Sequence, residues 1–125
     1  MPEFPGYCGP ANPELPIIKV KAVTTRKNPI MQTCIGPSEE HVSMAGIPTE
    51  ASILTMVDKA MPGKLLNVYC ASSGGGKYIA VMQFKKSVPS DEGRQRQAAL
   101  LAFSAFSELK HVFLVDEDVD CFDMN

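Results

Sequence analysis

The sequence predicts a mixed α/β fold. Short β-branched runs bounded by Pro and Gly, two longer segments with apolar residues at helical spacing, and the alternation of the two kinds along the chain all point there. A chain of 125 residues suffices for one domain with a buried core, and 45% hydrophobic with 21% charged residues is a globular composition.

Residues 1–16 hold five of the ten prolines plus Gly6 and Gly9, which excludes regular structure and predicts a loop. From Pro16 to Thr25, Ile18, Val20 and Ala22 alternate with Lys19 and Lys21, the period of a half-exposed strand. Pro29 to Ile35 predicts a second short strand, reached through a turn at Arg26-Lys27-Asn28.

Gly36-Pro37 marks a boundary, after which Ser38 is an N-cap with Glu39 and Glu40 in the first turn, where carboxylates complement the helix dipole. Pro48 predicts a kink or restart between Gly46 and Thr49, and the helix then runs to about Ala60 with Ile53, Leu54, Val57 and Met61 as its buried stripe. Pro62-Gly63 ends it. Leu65 to Ala71 and Tyr78 to Lys86 are strands on either side of a Ser72–Lys77 loop, either a hairpin or two separated strands. A polar loop, Ser87–Gly93, leads to a helix over Arg94–Leu109 with Ala98, Leu101, Ala102, Ala105 and Phe106 on one side, and Val112–Val115 is a buried-type strand ending in an acidic run.

Composition narrows the function. A net charge of −2 with scattered Lys and Arg leaves no basic stripe for a phosphate backbone, so nucleic acid is not expected as a partner. No apolar run is long enough to span a bilayer and no signal peptide is recognisable, which predicts a cytoplasmic protein. Cys8, Cys34, Cys70 and Cys121 stand far apart without a C-x-x-C pair and predict reduced thiols, several of them buried, rather than a metal site.

Three clusters invite chemistry. Ser73-Gly74-Gly75-Gly76-Lys77 lacks the Ser or Thr of a P-loop and precedes a strand instead of a helix, so it predicts a flexible connector. Asp116, Asp118 and Asp120 have the spacing of a calcium loop, but Cys121 occupies the glycine position; the cluster is a ligand or subunit contact at a strand end, or a solvated turn. His41, beside Glu39 and Glu40 in a first helical turn, could bind a phenol or carboxylate or serve only structure.

Met1-Pro2-Glu3-Phe4-Pro5-Gly6-Tyr7 resembles the end of the Glu-Gly-Pro-aromatic-x-Glu loop of UbiD-type decarboxylases, with Met1 at the aromatic position and Glu3 at the second glutamate. The resemblance continues in order through Val23-Thr24-Thr25-Arg26-Lys27-Asn28-Pro29-Ile30, Gly36-Pro37-Ser38-Glu39-Glu40, residues 78–86 and residues 112–120. It implies that residues 1–36 are the tail of a flavin-binding split β-barrel and residues 37–125 an α/β carboxyl-terminal domain, incomplete at its end.

The resemblance further implies prenylated FMN held with Mn2+ and K+, a flavin prenyltransferase as its supplier, reversible decarboxylation of hydroxylated aromatic acids, and homo-oligomers, dimeric or hexameric. Glu3 becomes the proton donor, and His41 and Met44 face the substrate, His41 through a ring hydroxyl. The first motif glutamate, the arginine and the flavin and metal ligands all precede the region present here. The chain is thus expected to be a fragment that is inactive alone, the alternative being a noncatalytic subunit or oligomerisation module.

Overall fold

The computed structural model describes residues 8–11, 13–33, 36 and 38–124 of the chain. Its regular elements are helix α1 (Glu39–Ala60), strand β1 (Leu65–Cys70), strand β2 (Ile79–Phe84), helix α2 (Arg94–Ala105) and strand β3 (His111–Asp116). The sheet has the order β1-β2-β3, with β1 antiparallel and β3 parallel to β2. β1 and β2 therefore form the hairpin, and β2-α2-β3 is a crossover unit, which needs a helix because parallel neighbours cannot be joined by a tight turn.

β2 lies in the middle, and its sequence Ile-Ala-Val-Met-Gln-Phe is buried at four of six positions, as a strand covered on both sides requires. Both helices pack on one face. Ile53, Val57 and Met61 meet Leu65, Val68 and Cys70 of β1, Ala80, Met82 and Phe84 of β2, and Ala98 and Ala102 of α2. Burying a side chain such as Ile53 or Phe84 contributes about 1.5–3 kcal/mol. On the other face the chain after β3 returns beneath the sheet. The Gln83 side-chain amide donates to the carbonyls of Glu117 and Val119, and the Phe122 ring packs on Tyr69 at 5.5 Å.

α1 runs unbroken through Pro48, where a kink or restart was expected. Pro48 is exposed, so the carbonyl it leaves without a helical donor faces water. The hydroxyls of Thr49 and Ser52 bond back to the carbonyls of Ala45 and Pro48, each at 2.8 Å. The stripe also differs from expectation in one member: Ile53, Val57 and Met61 are buried, but Leu54 is 40% exposed, because it lies beyond the arc that meets β1 and α2. α2 ends at Ala105 and not at Leu109; Phe106 is its C-cap, and a turn from Phe106 to Leu109 swings Leu109 into the core.

The two strands expected at Pro16–Thr25 and Pro29–Ile35 do not form among the described residues. Residues 15–33 are exposed throughout, Ile18 by 87%. Period-two alternation marks a face, but a strand exists only with a ladder partner, and among the described residues no ladder is formed with this segment.

A buried carboxylate ties two loops together. Asp91, 1% exposed, accepts from the Lys64 ammonium at 2.6 Å and from the backbone amides of Ser87 at 2.8 Å and Val88 at 3.1 Å. These donors hold its pKa down to about 2.

Candidate functional site

The start of α1 carries the side chains singled out by sequence. Ser38 caps the helix as expected, its Oγ accepting from the His41 amide at 3.4 Å. His41 is half-buried, and its ring lies over the backbone of Gly36, where an added Cβ would stand 2.6 Å from Nδ1. Met44, one turn on and 64% exposed, shares that flank of the helix. His41 and Met44 both lie in the first turns of α1, and neither is among its buried residues. Glu3 lies outside the described residues.

Two features lie next to this flank, the first without a signal in sequence and the second read there as a connector. A hollow of about 250 Å³ lies between α1 and the end of β1, walled by Glu39, Ser43, Glu50, Tyr69, Ser72 and Phe122 among others; neither His41 nor Met44 lines it. The Glu50 carboxylate accepts from the Cys70 amide at 2.8 Å, and the Glu39 carboxylate from the Ser72 hydroxyl at 3.0 Å. Burial pushes the Cys70 thiol up to about 12, and the Glu50 charge adds to the effect, so this thiol is not a nucleophile at neutral pH.

The glycine run is the other. Instead of a flexible connector it is a packed turn, with Gly74 and Gly76 buried. The Gly74 and Gly76 amides donate to the Ala71 carbonyl and the Gly75 amide to the Ser72 carbonyl, at 2.9–3.1 Å. Those donors are committed to the turn itself and cannot cradle a phosphate.

The remaining candidates are occupied by local partners. Asp116 binds the Lys86 ammonium at 3.0 Å, and Asp120 accepts from the Phe122 amide at 2.9 Å. The hydrogen bond from Lys86 to Asp116 raises the Lys86 pKa against the cost of its desolvation, and the charges of Asp116, Glu92 and Asp118 add to it. Cys70 and Cys121 are buried, Cys8 is exposed, and none of the three is in a disulfide; Cys34 lies outside the described residues. Among the described residues no group of three or more His, Cys, Asp or Glu could hold a metal ion, and no helix is long and apolar enough to cross a membrane. The committed amides of the glycine run do not fit a flavin phosphate.

Known proteins extend this picture. Residues 42–125 match the 3-octaprenyl-4-hydroxybenzoate carboxy-lyase C-terminal domain, and residues 1–39 match the Rift-related domain of the same family. The gallate decarboxylase of Lactiplantibacillus plantarum is 71% identical over 125 residues, all of this chain and 26% of that protein. The apo crystal structure of Klebsiella pneumoniae 3,4-dihydroxybenzoic acid decarboxylase superposes with a TM-score of 0.93 at 64% identity, covering 98% of this chain and 25% of that one. An evolved dimeric form of the UbiD-class enzyme HmfF from Pelotomaculum thermopropionicum, in complex with prFMN, gives 0.89 at 38% identity, with 98% of this chain and 28% of that one covered. The chain spans about a quarter of the length of these relatives. The match of most of its residues to the carboxyl-terminal domain, continued by the match at its start, establishes that this chain belongs to the UbiD carboxy-lyase family.

Proposed function

We propose that these residues supply the closing part of the acid-delivering loop and the substrate-facing helix start of a prenylated-FMN-dependent, reversible decarboxylase of hydroxylated aromatic acids. The observation that carries this is the 71% identity, over the whole chain, to a gallate decarboxylase. In this assignment residues 1–36 close the flavin-binding split barrel, and residues 37–125 form the α/β carboxyl-terminal domain and the main homo-oligomer contact. The enzyme is cytoplasmic, and a flavin prenyltransferase supplies its cofactor.

Bound prenylated FMN, with Mn2+ and K+, supplies the electron sink for the bond to the departing carboxyl group. Its ligands lie outside the described residues, so the chain's own contribution is proton handling and substrate placement. Glu3, as a protonated carboxyl group, delivers the proton that takes the place of carbon dioxide on the ring carbon. His41 receives or donates a hydrogen bond at a ring hydroxyl, and Met44, a flexible apolar side chain, packs against the ring. Without the flavin-binding walls one acid and one helix start cannot preorganise a site, so the 125 residues alone turn nothing over.

The test is a chimera in which this chain replaces the corresponding 26% of the L. plantarum gallate decarboxylase. Loaded with cofactor, it is expected to release carbon dioxide from gallate and to exchange the ring proton. Glu3→Gln is expected to slow both by about a hundred- to ten-thousandfold. Unchanged turnover in that variant would remove Glu3 as the acid, and a folded, cofactor-loaded chimera without turnover would favour a noncatalytic module.

A further inference from the structure

We propose that the Ala71–Gly76 turn is the positioning element of the substrate-facing helix start, with Ser72 and Gly76 as positioning residues that act through α1 on His41 and Met44. This rests on the assignment of His41 to the substrate.

Three contacts tie α1 to the hairpin, at three levels along its axis. In the first turn the Glu39 carboxylate accepts from Ser72 Oγ at 3.0 Å. Over the next turns Gly76 packs directly on the helix backbone: a Cβ there would run into the Val42 carbonyl oxygen and stand 3.2 Å from the Gly46 nitrogen. Further on, Glu50 accepts from the Cys70 amide at 2.8 Å. From Glu39 to Glu50 the helix rises roughly 16 Å. Fastening both ends of that span to one rigid hairpin, with a backbone contact between them, sets the rotation and the height of the helix.

The turn is built for close approach. Gly76 has φ +72°, a left-handed conformation that other residues rarely adopt, and a Cβ on Gly74 would stand 2.7–2.8 Å from Ile79. Its three glycine amides are spent internally and do not serve an anion, and its closeness to α1 is what the glycines achieve. His41 lies between the Glu39 and Val42 contacts, so any slip of the turn moves its ring. A misplacement of about 1 Å at a substrate-orienting group can cost about a hundredfold in rate.

The experiment uses the cofactor-loaded chimera and reads KM and kcat for gallate, denaturation midpoint, and amide hydrogen exchange. Ser72→Ala removes one surface hydrogen bond and leaves the core intact. It is expected to raise KM by about two- to tenfold with an unchanged denaturation midpoint, and Ser72→Thr to restore it. Exchange should speed up at residues 39–46 and stay as in the parent at residues 53–60, which a general loss of stability would not produce. In a His41→Ala background Ser72→Ala should add less than it does in the parent, since the part of its effect carried by His41 is already lost. Gly76→Ala should shift KM in the same direction where it folds, and the Ser72 variants decide the question where it does not. A KM unchanged by Ser72→Ala, or an effect fully additive with His41→Ala, overturns the positioning role and leaves the His41 assignment standing. If His41→Ala alone leaves KM and kcat unchanged, both fall.

Discussion

Gly46 and Gly76 face each other across the contact between α1 and the hairpin, and alanine at the two positions should have opposite effects. At Gly76 the φ of +72° costs an alanine about 1–2 kcal/mol. The new methyl group also meets the Val42 carbonyl oxygen, a backbone atom that cannot rotate away, and relieving such overpacking costs about 1–3 kcal/mol more. The sum, about 2–5 kcal/mol, is a large part of the stability of an ordinary domain. At Gly46 a Cβ would find Gly76 O, Gly76 Cα and Cys70 Cβ at 3.5, 3.7 and 3.8 Å, ordinary contacts, and replacing glycine in a helix interior gains about 0.5–1 kcal/mol. Gly46→Ala should therefore raise and Gly76→Ala lower the urea midpoint, the two lying about 2.5–6 kcal/mol apart. The chain has no Trp, so far-UV circular dichroism is the probe, with the slope m held as the check that compactness is unchanged. A Gly76→Ala protein within about 0.5 kcal/mol of the parent, or a Gly46→Ala protein less stable than Gly76→Ala, would refute the close-packed turn.

The same denaturation measurement should separate two neighbours on α1: Ile53→Ala, fully buried, should lose about 2–5 kcal/mol, whereas Leu54→Ala, 40% exposed, should lose under about 1 kcal/mol. Acid titration should show the Asp91 contact. Its folded pKa, about 2, is below the ordinary 3.8, so its stabilisation is complete above about pH 4 and is lost as the pH falls towards 2. Asp91→Asn should be less stable at neutral pH and lose less of its remaining stability over that acid range; parallel curves for the two proteins would exclude the contact as the cause. For Glu3, which acts in its protonated form, the pH profile of the chimera should lose in Glu3→Gln the fall in rate that sets in as the pH rises through the pKa of the acid, and a profile of unchanged shape would point to another acid.

Much of the carboxyl-terminal domain was legible because its elements carry local signals. Ser38 with two following glutamates announces a helix start, Pro62-Gly63 its end, and the β-branched runs after Leu65 and Tyr78 their strands. Pro48 misled because a proline breaks a helix only if the freed carbonyl has no substitute partner; Met44 is exposed, which puts that carbonyl within reach of water. The described part of the segment, residues 16–33, misled for another reason: its alternation is real, but pairing is a property of two segments and cannot be read from one.

The candidate site divides in the same way. His41 and Met44 could be put on one flank of a helix from their spacing alone, since positions three apart share a face. Their support could not. The contact of Gly76 with Val42, like the bonds from Ser72 to Glu39 and from Cys70 to Glu50, joins residues 20 to 34 positions apart. By itself the sequence determined the class of fold, most element positions and the family, because these rest on local propensity and on matched words along the chain. Only the tertiary structure decided that the glycine run is a clamp and not a connector, since a glycine's lack of a side chain has meaning only once the backbone approaching it is known.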